Sequence, residues 1–492
     1  MLICEESGWQ LPAHNSQERG GKRAALADVT SPIIDLFAAE TGALLAVTVQ
    51  ILGIELDAAA PGIVRRIDLE LERRIFEPYL TRHFWWMGKD DERMNNWTAW
   101  CTQNVLIGAF ARPLGDRRRR AIVAQAAISL DAFLKDYGED GACEEGVLYY
   151  RHAGLCLFNS LVVLGDVAPE AFGPLWREPK IRGIAEYIVR MHVEGRRYFN
   201  FADSSALVDR SGAREYLFGR AVCSTLLADF AAADWAAERQ VGLPGEINLF
   251  YRLQHAWSVR ALAEHRPDGP LQQHDCFLPS VGLMVARDAH FALAAKAGGN
   301  GDSHNHNDVG SVILYKNGVP VLIDVGVESY TAKTFSAQRY DIWTMQSAWH
   351  NLPSFDGVMQ RDGDGFAARN VNVSFERDVA EISMEIAGAY PPEAGLRSYR
   401  RSVRLRKSHS VEIVDDFDGD RAAELSLMFA VEPELAGGRI VLRGLADLVI
   451  EGASTLRLET IEVTDARLLQ SWPDRLYRVL VPFARRLRIV VT

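Results

Sequence analysis

The chain is poor in cysteine and shows no cysteine pattern. Cys4, Cys101, Cys143, Cys156, Cys223 and Cys276 are scattered through 492 residues with no Cys-x-x-Cys spacing. A disulfide framework and a thiolate zinc site are thereby excluded, and the thiols read as reduced and mostly buried. Positive charge is not in excess either: 54 Lys and Arg face 65 Asp and Glu, a formal net charge of −11. No general affinity for nucleic acid or an acidic membrane is expected, although a local basic pocket for an acidic substrate is compatible with this balance. The one dense basic run, Arg117 to Arg120, opens an apolar-periodic stretch and reads as the solvated first turn of a helix capped by Asp116. No stretch reaches about 18 uninterrupted apolar residues, and the opening segment has no basic region followed by an apolar core. The chain as given is therefore expected to be soluble and cytoplasmic, or periplasmic or secreted if a leader has been removed. No internal repeat of fixed period is present.

What the sequence does contain is enough apolar material for more than one core. Hydrophobic residues make up 48% and charged residues 24%, ordinary for a globular protein, and the length exceeds what one core serves. Residues 1–25 are polar and read as a loose lead-in. From 26 to 268 the periodicity is helical: Ile63, Ile67, Leu71 and Ile75 recur every four residues, with Pro78 expected to disturb that helix. A second helix carries Ile122, Ala126, Leu130 and Phe133, and others are predicted over 181–193 and 216–238. Pro, Gly and charge cluster at 264–275, and the period then changes to two. Short runs rich in β-branched residues follow, punctuated by the turn pairs Asn317-Gly318 and Asp356-Gly357. A multidomain α+β chain is predicted, with stacked helical hairpins over 26–268 and an antiparallel β-sandwich over 269–492.

The chemistry concentrates in Gly-Asp-Ser-His-Asn-His-Asn-Asp-Val-Gly, residues 301–310. In an extended segment His304 and His306 face the same way. Imidazole is the commonest metal ligand, but a tetrahedral ion needs three or four donors. Asp308, Asp324 and His350 are the candidates for the remainder. Three readings stay open from the residues alone: a polar loop, a metal-dependent hydrolase, and an acid–base site. The spelling His-x-His-x-Asp occurs in metallo-β-lactamase-like hydrolases, but there another His normally follows, where this chain has Val309. A glycoside hydrolase would need two carboxylates flanking the bond, for which Asp140, Glu144 and Glu145 are available.

Four stretches in order resemble a known family. His-Asn-His-Asn-Asp at 304–308 with its following strands, and Ser-Ala-Trp-His-Asn-Leu-Pro-Ser-Phe-Asp-Gly at 347–357, are similar to the C-terminal-domain motifs of heparinase II/III-like polysaccharide lyases. Asn-Asn-Trp at 95–97 and Glu-Gly-Val-Leu-Tyr at 145–149 are similar to segments of that family's helical toroid. The resemblance implies an incomplete (α/α) toroid, a β-sandwich and a cleft between them. It further implies that the chain cleaves a uronic-acid glycan by β-elimination. His304 and Tyr149 would then be catalytic, and Asn96 would neutralise the substrate carboxylate. His306, Asp324 and His350 would hold a structural zinc. Trp97, Arg151 and Arg339 are the residues expected to touch the sugar, the two arginines also being able to favour a Tyr149 phenolate. An acidic polysaccharide is the expected partner; the oligomeric state, a dimer included, is left open. The chain departs from the pattern at Trp97, where many members have His, and at His152, where many have Tyr. Phe-Asn-Phe-Ala-Asp-Ser-Ser at 199–205 resembles a loop bordering the cleft, with Asp203 either in the site or capping a turn.

Overall fold

The computed structural model describes the chain except residues 19, 90, 240–247 and 268. It divides into two units, and the division is interleaved. The first comprises residues 1–141, 149–186 and 210–271; the second comprises 142–148, 187–209 and 272–492. Where the periodicity pointed to one cut at 268/269, two pieces of the helical stretch, the loop 142–148 and the segment 187–209 that begins with the end of a helix, pack with the strands.

The first unit is helical: α1 (Leu36–Ala59), α2 (Ile63–Leu71), α3 (Asn96–Ala111), α4 (Asp116–Asp136), α5 (Gly154–Val167), α6 (Pro179–Met191, whose last residues from Tyr187 count with the second unit), α7 (Ala213–Ala221), α8 (Thr225–Glu238) and α9 (Leu249–Glu264). Helix α1 starts at Asp35, whose carboxylate accepts the Ala38 N–H at 2.8 Å. Small buried residues let it pack closely on its neighbours, Ala46 facing Gly108 and Ala43 clustering with Ile107 of α3, while Gly42 lies against Ile75. By length and composition α1 is apolar enough to cross a membrane, and 44% of its most apolar window is buried inside the protein. Ile63, Ile67, Leu71 and Ile75 are all buried, as their spacing requires.

Three local expectations change and one takes a particular form. Pro78 disturbs its helix without ending it: a π turn at Glu72–Phe76 precedes it, and the proline sits in the first turn of Glu77–Thr81, where its missing N–H is not needed. Asp116 is the first helical residue of α4 and makes no cap bond. The single helix expected over 216–238 is α7 and α8, separated where Cys223 takes a left-handed φ of 54° and Ser224 caps α8 through the Leu227 N–H. The lead-in is not loose: Trp9 is buried and donates to Ile3 O at 2.8 Å, and Asn15 donates to Ala24 O and Leu26 O at 2.7 and 2.9 Å.

In the second unit β1 (Cys276–Leu278), β2 (Leu283–Arg287), β3 (Phe291–Lys296), β4 (Val312–Lys316) and β5 (Val319–Leu322) form an antiparallel sheet in sequence order. Asn317 and Gly318, both at positive φ, close the β4–β5 hairpin. An eleven-stranded sheet follows, containing β6 (Pro353–Phe355), β7 (Arg369–Phe375), β8 (Val379–Glu385), β9 (Leu396–Arg406), β10 (Ser410–Gly419), β11 (Ala423–Phe429) and β12 (Arg475–Val491) among its strands. Met284, Leu293 and Leu314 of the small sheet share one core with Ile382, Val403, Ile413 and Val481 of the large one. That shared layer makes the unit a β-sandwich. Asp324 and His350 both leave the ends of this framework on loops.

Candidate active site and metal centre

The centre of the site is Asp203. It sits in the 199–205 turn, where Ala202 takes a left-handed φ of 60° and Ser204 N–H donates to Ala202 O at 2.7 Å. The 142–148 segment approaches this turn closely. A side chain at Gly146, whose φ is 90°, would strike the Phe201 carbonyl, so glycine is what lets Glu145 come in. Leu148 N–H then donates to Ser204 Oγ at 3.0 Å.

Asp203 is fully buried and receives four side chains. Its Oδ2 lies 2.7 Å from His304 Nδ1 and accepts the Tyr330 hydroxyl at 3.1 Å; its Oδ1 lies 3.1 Å from His306 Nε2 and accepts Arg339 Nη2 at 2.6 Å. Burial by itself would raise the Asp203 carboxyl, but hydrogen bonds from both histidines and the charge of Arg339 outweigh it and hold the group well below the usual carboxylate range. Glu145, also buried, brings Oε2 to 3.6 Å from His304 Nε2. An imidazole thus stands between two acids. The two histidines do not converge by strand alternation: His304 has φ 56° and the segment is turns and bends. Asp203 brings them together.

His306, Asp324 and His350 are fully buried, and one ligand atom from each lies within 4.8 Å of the others. Asp324 is oriented by Gly326 N–H on Oδ1 at 2.8 Å and by Asn200, which donates to its carbonyl at 3.0 Å. Burial raises this carboxyl, and His350, His306 and the Gly326 N–H reverse the shift and lower it. Asp324 Oδ2, His306 Nδ1 and both ring nitrogens of His350 have no hydrogen-bond partner among the described residues, although His350 Nδ1 is 3.1 Å from Asp324 Oδ2. Buried polar atoms left unpaired around one point are costly unless a cation takes them. Two nitrogens and one carboxylate suit a divalent ion such as zinc. Asp308 is outside the set: its Oδ1 accepts buried Lys296 Nζ at 2.7 Å.

The residues expected to touch substrate divide. Arg339 is turned inward, with Nε and Nη2 on Asn305 O at 3.1 and 3.0 Å and Nη1 on Thr334 O at 3.2 Å besides its bond to Asp203. In this arrangement it clamps the 305–334 loop to Asp203. Arg151 is 6% exposed, donates to Arg210 O at 3.0 Å and lies 3.4 Å from Glu215, which likewise spends it inside the helical unit. Asn96 opens α3 and is buried; the cap is Asn95, which accepts the Trp97 N–H at 3.0 Å. Trp97 contacts Trp85 and His14 at ring distances of 5.1 and 4.8 Å, beside a cavity of about 190 Å³. Tyr150 is fully buried and donates to Ala185 O at 3.0 Å, whereas Tyr149 is partly exposed. His152 lies flat on Trp100 at 4.2 Å, covering one indole face, and is pushed down to about 3 by burial and then by Arg214 and Arg151. Two site residues stayed outside the sequence reading, Tyr330 and the position of Glu145 against His304. For Asp203, in a loop that resembles one bordering the cleft, the sequence leaves a place in the site and a capping role equally open.

The family model for the heparinase II/III-like C-terminal domain matches residues 272–475. The second unit carries a heparinase II/III-like domain. A comparison with curated proteins found no match. Among solved structures the chain is similar to heparan sulfate lyase HepC from Pedobacter heparinus, with a TM-score of 0.60 and 16% identity over 91% of this chain and 67% of that one. It is also similar to a heparinase III, with a TM-score of 0.61 and 14% identity over 91% of this chain and 69% of that one. At these identities the likeness is one of fold: helices first, then the heparinase II/III-like sandwich, whose matched region includes His304, His306, Asp324 and His350.

Proposed function

We propose that this protein is a polysaccharide lyase that cleaves uronic-acid-containing glycans by β-elimination. The observation that carries the reading is His304, anchored at Nδ1 by buried Asp203 on a heparinase II/III-like domain, with its other nitrogen turned toward Glu145. A fixed imidazole suits removal of a carbon-bound proton, which general bases accelerate by about 10²–10⁴-fold. In the reaction the C5–H bond breaks and its proton passes to the base. The electron pair forms the C4–C5 double bond, the C4–O bond breaks, and the departing oxygen takes a proton from the acid. His304 and Tyr149 carry these two proton roles, and Asn96 donates to the substrate carboxylate, where charge builds in the transition state. The relatives' substrates, heparan sulfate among them, support a glycosaminoglycan or a similar acidic chain. Trp97 is the residue best suited to meet a sugar face.

Zinc is the proposed occupant of the His306–Asp324–His350 cluster, where it would cross-link three loops of the sandwich and keep them in register. A metal-dependent hydrolase built on His-x-His-x-Asp would draw on Asp308, which Lys296 holds instead.

The test is to incubate the purified protein with heparan sulfate, chondroitin, hyaluronan and alginate and follow the ultraviolet absorbance of a conjugated uronate. A chromophore that grows with wild-type protein and not with His304→Ala supports the reading. Depolymerisation without a chromophore would replace it with hydrolysis.

A further inference from the structure

One carboxylate serves two imidazoles, and that has a consequence for where their protons sit. Asp203 is paired with Arg339 at 2.6 Å inside the protein, so it is an ionised acceptor with no proton to donate. Both histidine contacts must then run from N–H to oxygen: Nδ1–H of His304 to Oδ2 at 2.7 Å, and Nε2–H of His306 to Oδ1 at 3.1 Å. A neutral imidazole has one N–H, and the bond made by one ring nitrogen decides the state of the other. His304 is left with its lone pair on Nε2, His306 with its lone pair on Nδ1. Nδ1 of His306 is also one of the buried atoms without a hydrogen-bond partner at the Asp324–His350 cluster.

We propose that Asp203 is a positioning residue that imposes opposite tautomers on two neighbouring histidines, making His304 Nε2 the base and His306 Nδ1 the ligand for a divalent cation. Carboxylates behind ligating histidines fix ring orientation and tautomer in this way. The assignment of His304 as base rests on the lyase reading; the tautomers do not.

The geometry predicts an asymmetric response to Asp203→Asn. Arg339 reaches Oδ1 and needs an acceptor there, so the amide oxygen keeps that position and continues to accept from His306. The amide nitrogen then occupies the Oδ2 position and donates toward His304 Nδ1, while the Tyr330 hydroxyl turns to other partners. His304 has to accept at Nδ1 and moves its proton to Nε2, where the base lone pair was. His306 is unchanged.

The experiment is ¹⁵N NMR of the zinc-loaded, histidine-labelled protein, with His304 assigned through His304→Gln. In the wild type His304 is expected to carry its proton on Nδ1 alone. In Asp203→Asn it is expected to carry it on Nε2, with zinc content unchanged and kcat on the cleaved glycan lower by about 10²–10⁴-fold at nearly constant KM. A wild-type spectrum with a proton on Nε2 of His304 overturns the proposal even if the variant does not fold. So does a folded, zinc-loaded Asp203→Asn that keeps the wild-type tautomer and turnover. Absence of lyase activity on every uronate glycan would sink the functional reading and leave the tautomer result standing.

Discussion

At the scale of single residues, the adjacent tyrosines show how packing sorts identical chemistry. Tyr150 fills the helical core with its hydroxyl on Ala185 O, while Tyr149 keeps an exposed side. Tyr149→Phe is therefore expected to abolish most turnover with little change in melting temperature. Tyr150→Phe should do the reverse, costing about 1 kcal/mol of stability for the lost hydrogen bond. Steady-state kinetics and thermal melts on the pair check this, and the opposite pattern would place the functional phenol at Tyr150. His152 offers a pH test. Its folded pKa lies near 3 because burial and two nearby arginines disfavour the charged ring, whereas the unfolded chain takes up that proton near its ordinary 6.5. Between these values the unfolded state binds more protons. Stability is fully present above about pH 6.5 and erodes as pH falls toward 3. His152→Phe should flatten that limb in melts taken from pH 7 to 4. His304, His306, Asp324 and His350 stand out as candidates in the sequence because few structural roles need that density of ligating groups, and the structure gathers the last three within reach of one ion. The loop-clamping contacts of Arg339 are not legible in the same way: a charged residue near a site has the same letter whether it faces the substrate or holds the loop.

At the scale of elements, the ligand-bearing loops are spaced by a buried pair inside the sandwich. Strand β9 turns Tyr399, Arg401, Val403 and Leu405 inward, and Arg401 stands opposite Asp415 of β10. Its Nε and Nη2 meet the Asp415 carboxylate at 2.6 and 2.9 Å, while Nη1 donates to Gly310 O at 2.8 Å and Asn351 O at 2.7 Å. One guanidinium thus ties the loop after His306 to the residue after His350. Asn351 extends the tie, donating to Val312 O and Ile323 O at 2.7 and 3.0 Å. Arg401→Met leaves Asp415 buried without its cation and should cost about 3–5 kcal/mol. Arg401→Met with Asp415→Leu should regain much of that stability. The double variant should still bind zinc more weakly than wild type, because the carbonyls of Gly310 and Asn351 have lost their common donor. Denaturant melts and zinc titrations separate the two effects; a double variant with wild-type zinc affinity would show that the loops hold their spacing unaided. The strands themselves were readable from alternation and from Asn-Gly and Asp-Gly turns. An inward arginine at position 401 was not, since in the alternating pattern it marks an interruption and only the register with β10 supplies its partner.

At the scale of the whole molecule, the site is assembled from chain segments far apart in sequence. Asp203 and Glu145 come from pieces that interrupt the helical stretch, and His304, His306, Asp324 and His350 from the sandwich. A cation at the last three would cross-link loops spread over 306–350, and a ligand that binds only the folded state adds about 2.7 kcal/mol at a hundred times its dissociation constant. Chelation, or His306→Ala, should accordingly lower the melting temperature, and re-added zinc should restore it for the chelated wild type but not for the variant; an unchanged melt would remove the structural role assigned to the ion. The sequence by itself determined the helical and strand halves, since periods of 3.6 and 2 are local properties, and it determined the ligand types around 301–310. Tertiary structure alone decided that Asp203 is the centre of the site, that Asp308 belongs to Lys296, and that Arg339 faces inward. Each of those facts is a contact between residues separated along the chain, and local composition carries no trace of which distant side chain will stand opposite a buried charge.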